Sequence, residues 1–382
     1  MSEPLQHVPL PDAQLSPQLA RMVGSQAPAP LRQAAARGLA PLPPPDMVVA
    51  LYQIAVGSDA ALASTARQSL QRLPEAVLRG ALSAPLDGRV LDFVARQLQD
   101  NRSAIQLLLD NRTLPDQTVE FLAQTCEADE LDRIAKDEQR LLRAPSIIAA
   151  LYMNPRTRVS TAMRAVELAA RNQVVVDIPG FDDLVASLQG VTIGPQHDAQ
   201  FAEVVPPAGG EPAQGQDAHA SEAEAWTQEQ IENAQQQEER APAEPDKKKK
   251  RFEDLPVPLQ IRAATLGNAQ DRALAIRSTI RAVAMAAIRS PAISIQEVVK
   301  YAANRALHED VIRYISNRKE WTQLNAVRLA LINNNKTPLG TALRLLNFVH
   351  MRDLKAISRS KNVPGPLVKA AKELISKRER HS

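Results

Sequence analysis

Residues 150–164 read ALYMNPRTRVSTAMR and residues 330–344 read ALINNNKTPLGTALR, so one pattern returns 180 positions later without a gap. Seven of the fifteen positions are identical, and the apolar positions between them also correspond. The identical pairs are Ala150/Ala330, Leu151/Leu331, Asn154/Asn334, Thr157/Thr337, Thr161/Thr341, Ala162/Ala342 and Arg164/Arg344. Repetition in a fixed register predicts a chain built from repeated helical units.

A shorter period supports the same interpretation. The run Leu91-Asp92-Phe93-Val94-Ala95 resembles Val119-Glu120-Phe121-Leu122-Ala123, 28 positions later. Aromatic residues make up only 3% of the chain and hydrophobic residues 44%, a profile typical of closely packed helices. We therefore predict an all-α protein, an α-solenoid of antiparallel helix pairs of the HEAT or armadillo kind, in two halves joined by a disordered linker.

Composition divides the chain into four predicted regions. Residues 1–45 are rich in proline and are expected to be mostly disordered. Residues 46–195 form a helical-repeat segment with a short extended piece at 174–178. Residues 196–254 form an acidic, low-complexity linker that ends in a Lys/Arg run, and residues 255–382 form a basic helical-repeat segment.

The repeated Asn-x-x-Thr pattern has a structural explanation. Asn154 and Asn334 suit a helix end because asparagine tolerates left-handed backbone, and Thr157 and Thr337 would then cap the next helix. A ligand-binding role is the alternative, and the paired Arg164/Arg344 are its better candidates because a turn does not require them. Elsewhere, Ser294 and Glu297 have the spacing of a capping box.

Several segments of the second half resemble a known class of protein. They are Asn317-Arg318-Lys319-Glu320-Trp321, Asn335-Lys336-Thr337-Pro338 and Asp353-Leu354-Lys355 with Lys361-Asn362-Val363-Pro364. They are similar to uncharacterised bacterial proteins of the HEAT-like and leucine-rich-repeat-variant α-solenoid type, best over about residues 255–380. The resemblance implies an α-solenoid of bacterial, cytosolic origin and transfers no catalytic residues.

Charge is distributed very unevenly. Residues 1–195 carry net −3, residues 196–246 net −11 and residues 247–382 net +17. Such asymmetry indicates an anionic partner or contact between the charged parts of the chain itself. The candidate residues for binding a polyanion or partner are Lys247, Lys248, Lys249, Lys250, Arg251, Arg344, Arg352, Lys355, Arg359 and Lys361. Solubility and the balancing of the acidic linker are the plainer explanation for these charges. No aromatic residues alternate with the basic residues between Arg352 and Arg380, so stacking of bases is not indicated there.

Trp226 is the candidate anchor of the acidic linker, for a partner or for the basic half of the chain. No metal site or cofactor is predicted. His308, Glu309 and Asp310 are adjacent on a helix and therefore point in different directions. Cys126 has acidic rather than basic neighbours, so we expect an inert thiol. No phosphate-binding glycine loop or nucleophile elbow is visible, and we expect no enzymatic activity.

These observations favour a non-enzymatic scaffold or adaptor that binds a protein partner through a helical-repeat surface. The alternative is binding of nucleic acid or another polyanion by the basic C-terminal half, autoregulated by the acidic linker. We expect no membrane association, because the chain has no apolar run long enough to span a bilayer. No small-molecule substrate is evident from the sequence. The lone cysteine and the absence of a basic leader followed by an apolar run predict a cytoplasmic protein.

Overall fold

The computed structural model describes residues 5–206, 251–360 and 362–380, and these residues contain helices and no strand. The all-α prediction is therefore confirmed for the described chain. The chain divides into two compact units, Met1–Ile178 and Pro179–Ser382. This division lies before the boundary predicted at residue 195, because the helix that follows Gly180 packs within the second unit.

Unit 1 contains twelve α-helices among its described residues. They are α1 Pro17–Val23, α2 Ala29–Ala36, α3 Pro44–Ala55, α4 Ala60–Gln71, α5 Glu75–Leu82, α6 Gly88–Gln97, α7 Arg102–Asp110, α8 Asp116–Thr125, α9 Ala128–Ile134, α10 Glu138–Arg143, α11 Pro145–Met153 and α12 Val159–Arg171. Contacts skip along the chain: α3 packs on α5, α5 on α7 and α7 on α9, while α4 packs on α6, α6 on α8 and α8 on α11. Leucine, isoleucine, valine and alanine side chains fill the core between these helices.

The N-terminal segment differs from the predicted mostly disordered region. A 3₁₀ turn, Asp12–Gln14, and helices α1 and α2 lie within it, and Leu10 and Leu19 are buried. The side chain of Gln53 bonds to both backbone groups of Leu10, at 2.8 and 2.9 Å. Proline-rich composition is misleading here because Pro17 and Pro44 begin helices and Pro28 and Pro43 cap them, positions where a missing N–H has no cost.

Residues 174–178, predicted to be extended, have neither helix nor strand pairing. Val176 and Ile178 are buried whereas Val175 is 78% exposed, so the side chains alternate between core and solvent. The segment leads directly to the division between the two units.

Unit 2 contains twelve α-helices among its described residues. They are α13 Phe181–Leu188, α14 Gln196–Val204, α15 Val257–Leu266, α16 Ala269–Ala275, α17 Arg281–Ile288, α18 Ile295–Ala303, α19 Glu309–Asn317, α20 Lys319–Thr322, α21 Asn325–Asn333, α22 Leu339–Leu346, α23 Met351–Ile357 and α24 Gly365–Glu379. Helix α15 packs on α13, α14, α16 and α17, and further along the chain α18 packs on α21, α21 on α22 and α22 on α24.

The predicted linker is shorter at both ends in the structure. Helix α14 occupies its first residues, and Phe201 and Val204 of that helix are buried. Phe252, near its other end, is 2% exposed. Averaging over an acidic, low-complexity stretch hides these few apolar residues, although they are enough to attach the flanks to unit 2.

Asparagines at helix ends bond to helix ends about 30 residues earlier in the chain. The side-chain amide of Asn111 donates to the carbonyl oxygens of Leu82 and Ala84 at 2.6 and 2.9 Å. Asn154 donates in the same way to Ala123 and Cys126, and Asn334 to Ala302 and Asn304. Each amide oxygen accepts from the backbone N–H two residues ahead, and Asn304 has the same local bond with Ala306. One side chain thereby closes its own turn and bonds to an earlier helix end.

This geometry corrects the predicted roles of the Asn-x-x-Thr residues. Asn154 and Asn334 have φ of −79° and −92°, so their backbone is extended rather than left-handed. Neither threonine is an N-cap: Arg158 and Pro338 occupy those positions without a side-chain cap. The threonines are buried instead, and their backbone N–H groups donate to the asparagine carbonyl oxygens at 3.1 Å.

The capping box predicted at Ser294 is confirmed and belongs to a larger buried network. The Ser294 hydroxyl accepts from the Glu297 N–H, and Glu297 accepts from the Ser294 N–H. Both carboxylate oxygens of Glu297 also accept from the Arg272 guanidinium at 2.9 Å. Burial by itself raises the pKa of Glu297, but the bonds from Arg272 and Ser294 outweigh it and lower that pKa overall.

Candidate functional site: a basic cleft in unit 2

A cleft of about 650 Å³ lies among the second half of the unit 2 helices. We call it the basic cleft. Helices α19 to α22 and the turns that follow them supply its walls. Its lining residues are Ser316, Asn317, Lys319, Thr322, Gln323, Arg328, Arg344, Leu345 and Phe348. Three of these nine are cationic and none is acidic.

Arg328 is the most enclosed cation of the basic cleft. Its guanidinium donates to the carbonyl oxygens of Phe348 and Gln323 at 2.6 and 2.8 Å. Within residues 251–360 and 362–380 it has no carboxylate partner. Burial lowers the pKa of the Arg328 guanidinium, because a charge removed from water loses hydration. Its positive charge is thus fixed in place without a counter-charge.

Lys319 and Arg344 are the exposed cations of the basic cleft. Lys319 begins α20, and Arg344 lies in the last turn of α22. Neither forms an ion pair within the described part of the chain. Both side chains are therefore available to an anionic ligand.

Phe348 supplies an aromatic surface at the same place. It follows α22 and is 63% exposed, although most of the large apolar side chains of unit 2 are buried. Most exposed apolar residues are single and need no explanation. Phe348 differs because it shares a cleft with three cations, an arrangement that presents a flat apolar face beside positive charge.

Neighbouring cations of unit 2 are neutralised, which distinguishes the basic cleft from the general positive surface. Arg281 pairs with Asp310 and Asp183, and Arg313 pairs with Glu309. The cations at these positions are therefore less available to an anionic ligand than those of the basic cleft.

Of the predicted binding residues, only Arg344 lines the basic cleft. Arg251 is exposed and lies 3.8 Å from Glu203. Lys355 pairs with Glu379 at 3.1 Å, Arg352 lies 3.6 Å from its neighbour Asp353, and Arg359 is exposed. The remaining predicted binding residues, Lys247, Lys248, Lys249, Lys250 and Lys361, and the predicted anchor Trp226 lie outside the described residues.

The repeated arginines have different surroundings. Arg344 lies in the basic cleft, whereas Arg164 is exposed on α12 and does not line that cleft. Arg164 and Arg344 therefore differ in their surroundings although they are equivalent in sequence, as the uneven charge distribution predicts.

Sequence reasoning missed Lys319, Arg328 and Phe348. The apolar residues Leu346 and Val349 on either side of Phe348 are buried whereas Phe348 is exposed, and its position out of step with a helical apolar spacing was an available signal. No aromatic residue lies between Arg352 and Arg380, and Phe348 comes just before that basic stretch in the sequence. The fold brings Phe348 and Lys319 to one cleft across 29 positions.

The residues that the structure describes contain no group of three or more His, Cys, Asp or Glu side chains placed to hold a metal ion. His308 caps α19, where its Nδ1 accepts from the Asp310 N–H. Burial, aided by the charge of Glu130, raises the pKa of the Cys126 thiol to about 12, which leaves almost no reactive thiolate at neutral pH.

Comparison with protein-family models, with curated proteins and with solved structures finds no match for this chain. None of the described helices is long and apolar enough to cross a membrane. The geometry of the two units and of the basic cleft is therefore the basis for proposing a function.

Proposed function

We propose that this protein is a non-enzymatic scaffold or adaptor, with the helices of each unit stacked as antiparallel pairs in a HEAT-like solenoid. The bonds of the turn asparagines carry this proposal. Asn111, Asn154 and Asn334 each join a helix end to a helix end 27 to 32 residues earlier, one repeat length away. Repeats held to their neighbours in this way form extended surfaces, which serve binding more often than catalysis.

Ion pairs between repeats add to this support in unit 1. Arg102 pairs with Glu130, 28 positions away, and Arg143 pairs with Asp116, 27 positions away. Arg158 pairs with Asp129 at a separation of 29. Ion pairs at a protein surface stabilise a fold only slightly. These pairs support the proposal because their sequence separation is close to that of the asparagine bonds.

A second candidate function is binding of nucleic acid or another polyanion by unit 2. The basic cleft favours it, because three cations converge there without a carboxylate among the lining residues. The acidic segment 196–246, with net −11, would compete with an external polyanion for these cations.

Capture from lysate with the full-length chain as bait separates the two candidates. The scaffold function predicts that one protein partner is recovered with equal yield before and after nuclease treatment. Recovery of nucleic acid, together with loss of every protein after nuclease, would contradict the scaffold function and favour the second candidate. A bait with Lys319→Gln and Arg344→Gln then shows whether the recovery depends on the basic cleft.

A further inference from the structure

We propose that the basic cleft binds single-stranded nucleic acid, with phosphates on Lys319 and Arg344 and a base stacked on Phe348. This inference rests on the polyanion-binding function proposed above, and it adds the class of ligand and the residue that selects it. It uses only residues that line one cleft of unit 2.

The charges of the cleft favour an anionic ligand. Lys319, Arg328 and Arg344 repel one another, and no lining carboxylate offsets that repulsion. Arg328 is also partly desolvated and is held by two backbone carbonyl oxygens, so it cannot turn away into solvent without losing both bonds. A phosphate in the cleft relieves both costs at once.

Phe348 indicates which kind of polyanion fits. A cluster of cations alone would accept any polyanion, including heparin and duplex DNA, through their charges. An aromatic face adds contact with unpaired bases, because every base presents a flat π-face that stacks on a side chain. Bases inside a duplex are stacked on each other and cannot contact Phe348 in this way.

The polar side chains of the cleft complete the match. Asn317 and Gln323 line it, and each carries an amide that donates and accepts hydrogen bonds. Unpaired bases and sugars offer both kinds of group to such amides. Acidic peptides, the competing class of ligand, would satisfy the cations but would not need a flat aromatic surface.

Fluorescence anisotropy with the full-length chain tests the proposal. The probes are a labelled oligothymidylate of about 12 nucleotides, within the usual site size of single-strand grooves, labelled heparin, a duplex of equal length and polyglutamate. We expect Phe348→Ala to weaken oligothymidylate binding about fivefold or more and to leave heparin binding nearly unchanged. Phe348→Tyr should bind oligothymidylate and heparin as the unchanged chain does. The double variant K319Q/R344Q should bind both oligothymidylate and heparin more weakly.

Two matched controls accompany these variants. Leu339→Ala removes an exposed apolar side chain that begins α22 and lies outside the cleft, and Lys300→Gln removes an exposed cation of unit 2. Both should bind like the unchanged chain. Thermal unfolding of every variant establishes that each one is folded before binding is compared.

The outcomes separate this inference from the function on which it rests. Equal oligothymidylate binding by the Phe348→Ala variant, or equal or tighter binding of duplex, overturns the single-strand proposal while polyanion binding stands. Polyglutamate binding as tight as that of oligothymidylate overturns it in favour of an acidic peptide. If neither oligothymidylate nor heparin binds, both the proposal and the polyanion-binding function fail.

Discussion

The side-chain amide nitrogen of Asn334 lies 2.8 Å from the carbonyl oxygen of Ala302, which is 32 positions earlier at the end of another helix. Asn154 has the same relationship to Ala123, 31 positions earlier. Both asparagines are buried, so these bonds are shielded from water. Each asparagine therefore joins two helix ends as well as closing its own turn.

Removing one of these side chains should destabilise its unit. Asn334→Ala leaves the carbonyl oxygens of Ala302 and Asn304 without their donor, and we expect a loss of about 1–3 kcal/mol in the free energy of unfolding. Urea denaturation followed by circular dichroism measures it. Asn335→Ala, at the exposed neighbouring position, is the matched control. Equal stability of the two variants would contradict a stabilising role for the bonds from Asn334 to Ala302 and Asn304.

The packing of the N-terminal segment can be tested at Gln53. Gln53→Ala removes both hydrogen bonds to Leu10, and we expect unit 1 to lose about 1–3 kcal/mol of stability. Gln68→Ala, an exposed helix position, should change stability by less than about 0.5 kcal/mol. Urea denaturation measures both variants. A Gln53→Ala variant as stable as its control would show that the segment adds nothing to unit 1.

Glu297 should make the stability of unit 2 depend on pH. Its pKa is lower in the folded chain than in the unfolded chain, so its contribution is complete above the ordinary glutamate pKa of about 4.3. That contribution is lost as the pH falls through the lowered folded pKa. We expect the melting temperature of the unchanged chain to fall in this range, and the fall to be smaller in Glu297→Gln.

The substitution Glu297→Gln should also lower the free energy of unfolding at neutral pH. Glu297→Gln leaves the buried Arg272 without a charged partner, and we expect a loss of about 3–5 kcal/mol. Glu309→Gln breaks the exposed pair with Arg313 and should cost less than about 1 kcal/mol. Equal effects of the two substitutions would contradict the structural importance of the buried pair.

The autoregulation hypothesis predicts that removal of negative charge strengthens binding. Residues 207–246 contain ten acidic residues and one arginine, and their deletion spares helix α14 and the Lys/Arg run. We expect the deletion to tighten heparin binding at low salt, because competition with the basic residues ends. A chain with these ten residues changed to Gln or Asn controls for length. If neither variant binds heparin more tightly, the hypothesis fails.

The sequence predicts the fold better than it predicts the site. Helical periodicity and the correspondence between residues 150–164 and 330–344 are properties of the sequence itself, so they are visible without coordinates. The target of the Asn334 amide depends on which helix lies beside it, and no local pattern specifies that. The threonine caps failed for a related reason, because Thr157 and Thr337 are buried beneath the turn rather than exposed at a helix start.

The basic cleft could not be predicted from the sequence. Lys319, Arg328, Arg344 and Phe348 belong to different segments, and only tertiary packing brings them together. Net charge identified the half of the chain that contains the basic cleft. It could not separate a paired cation such as Lys355 from Lys319, which has no ion pair within the part of the chain that the structure describes. Pairing depends on distances that a sequence does not contain.

The salt dependence of oligothymidylate binding tests most directly whether the basic cleft contacts phosphates. Each phosphate contact adds about 0.7 to the slope of log affinity against log salt for a single strand. We predict that K319Q/R344Q has a slope shallower than that of the unchanged chain by about 1.4, whereas Lys300→Gln leaves the slope unaltered. A double variant that keeps the slope of the unchanged chain would contradict the assignment of the basic cleft as the binding site.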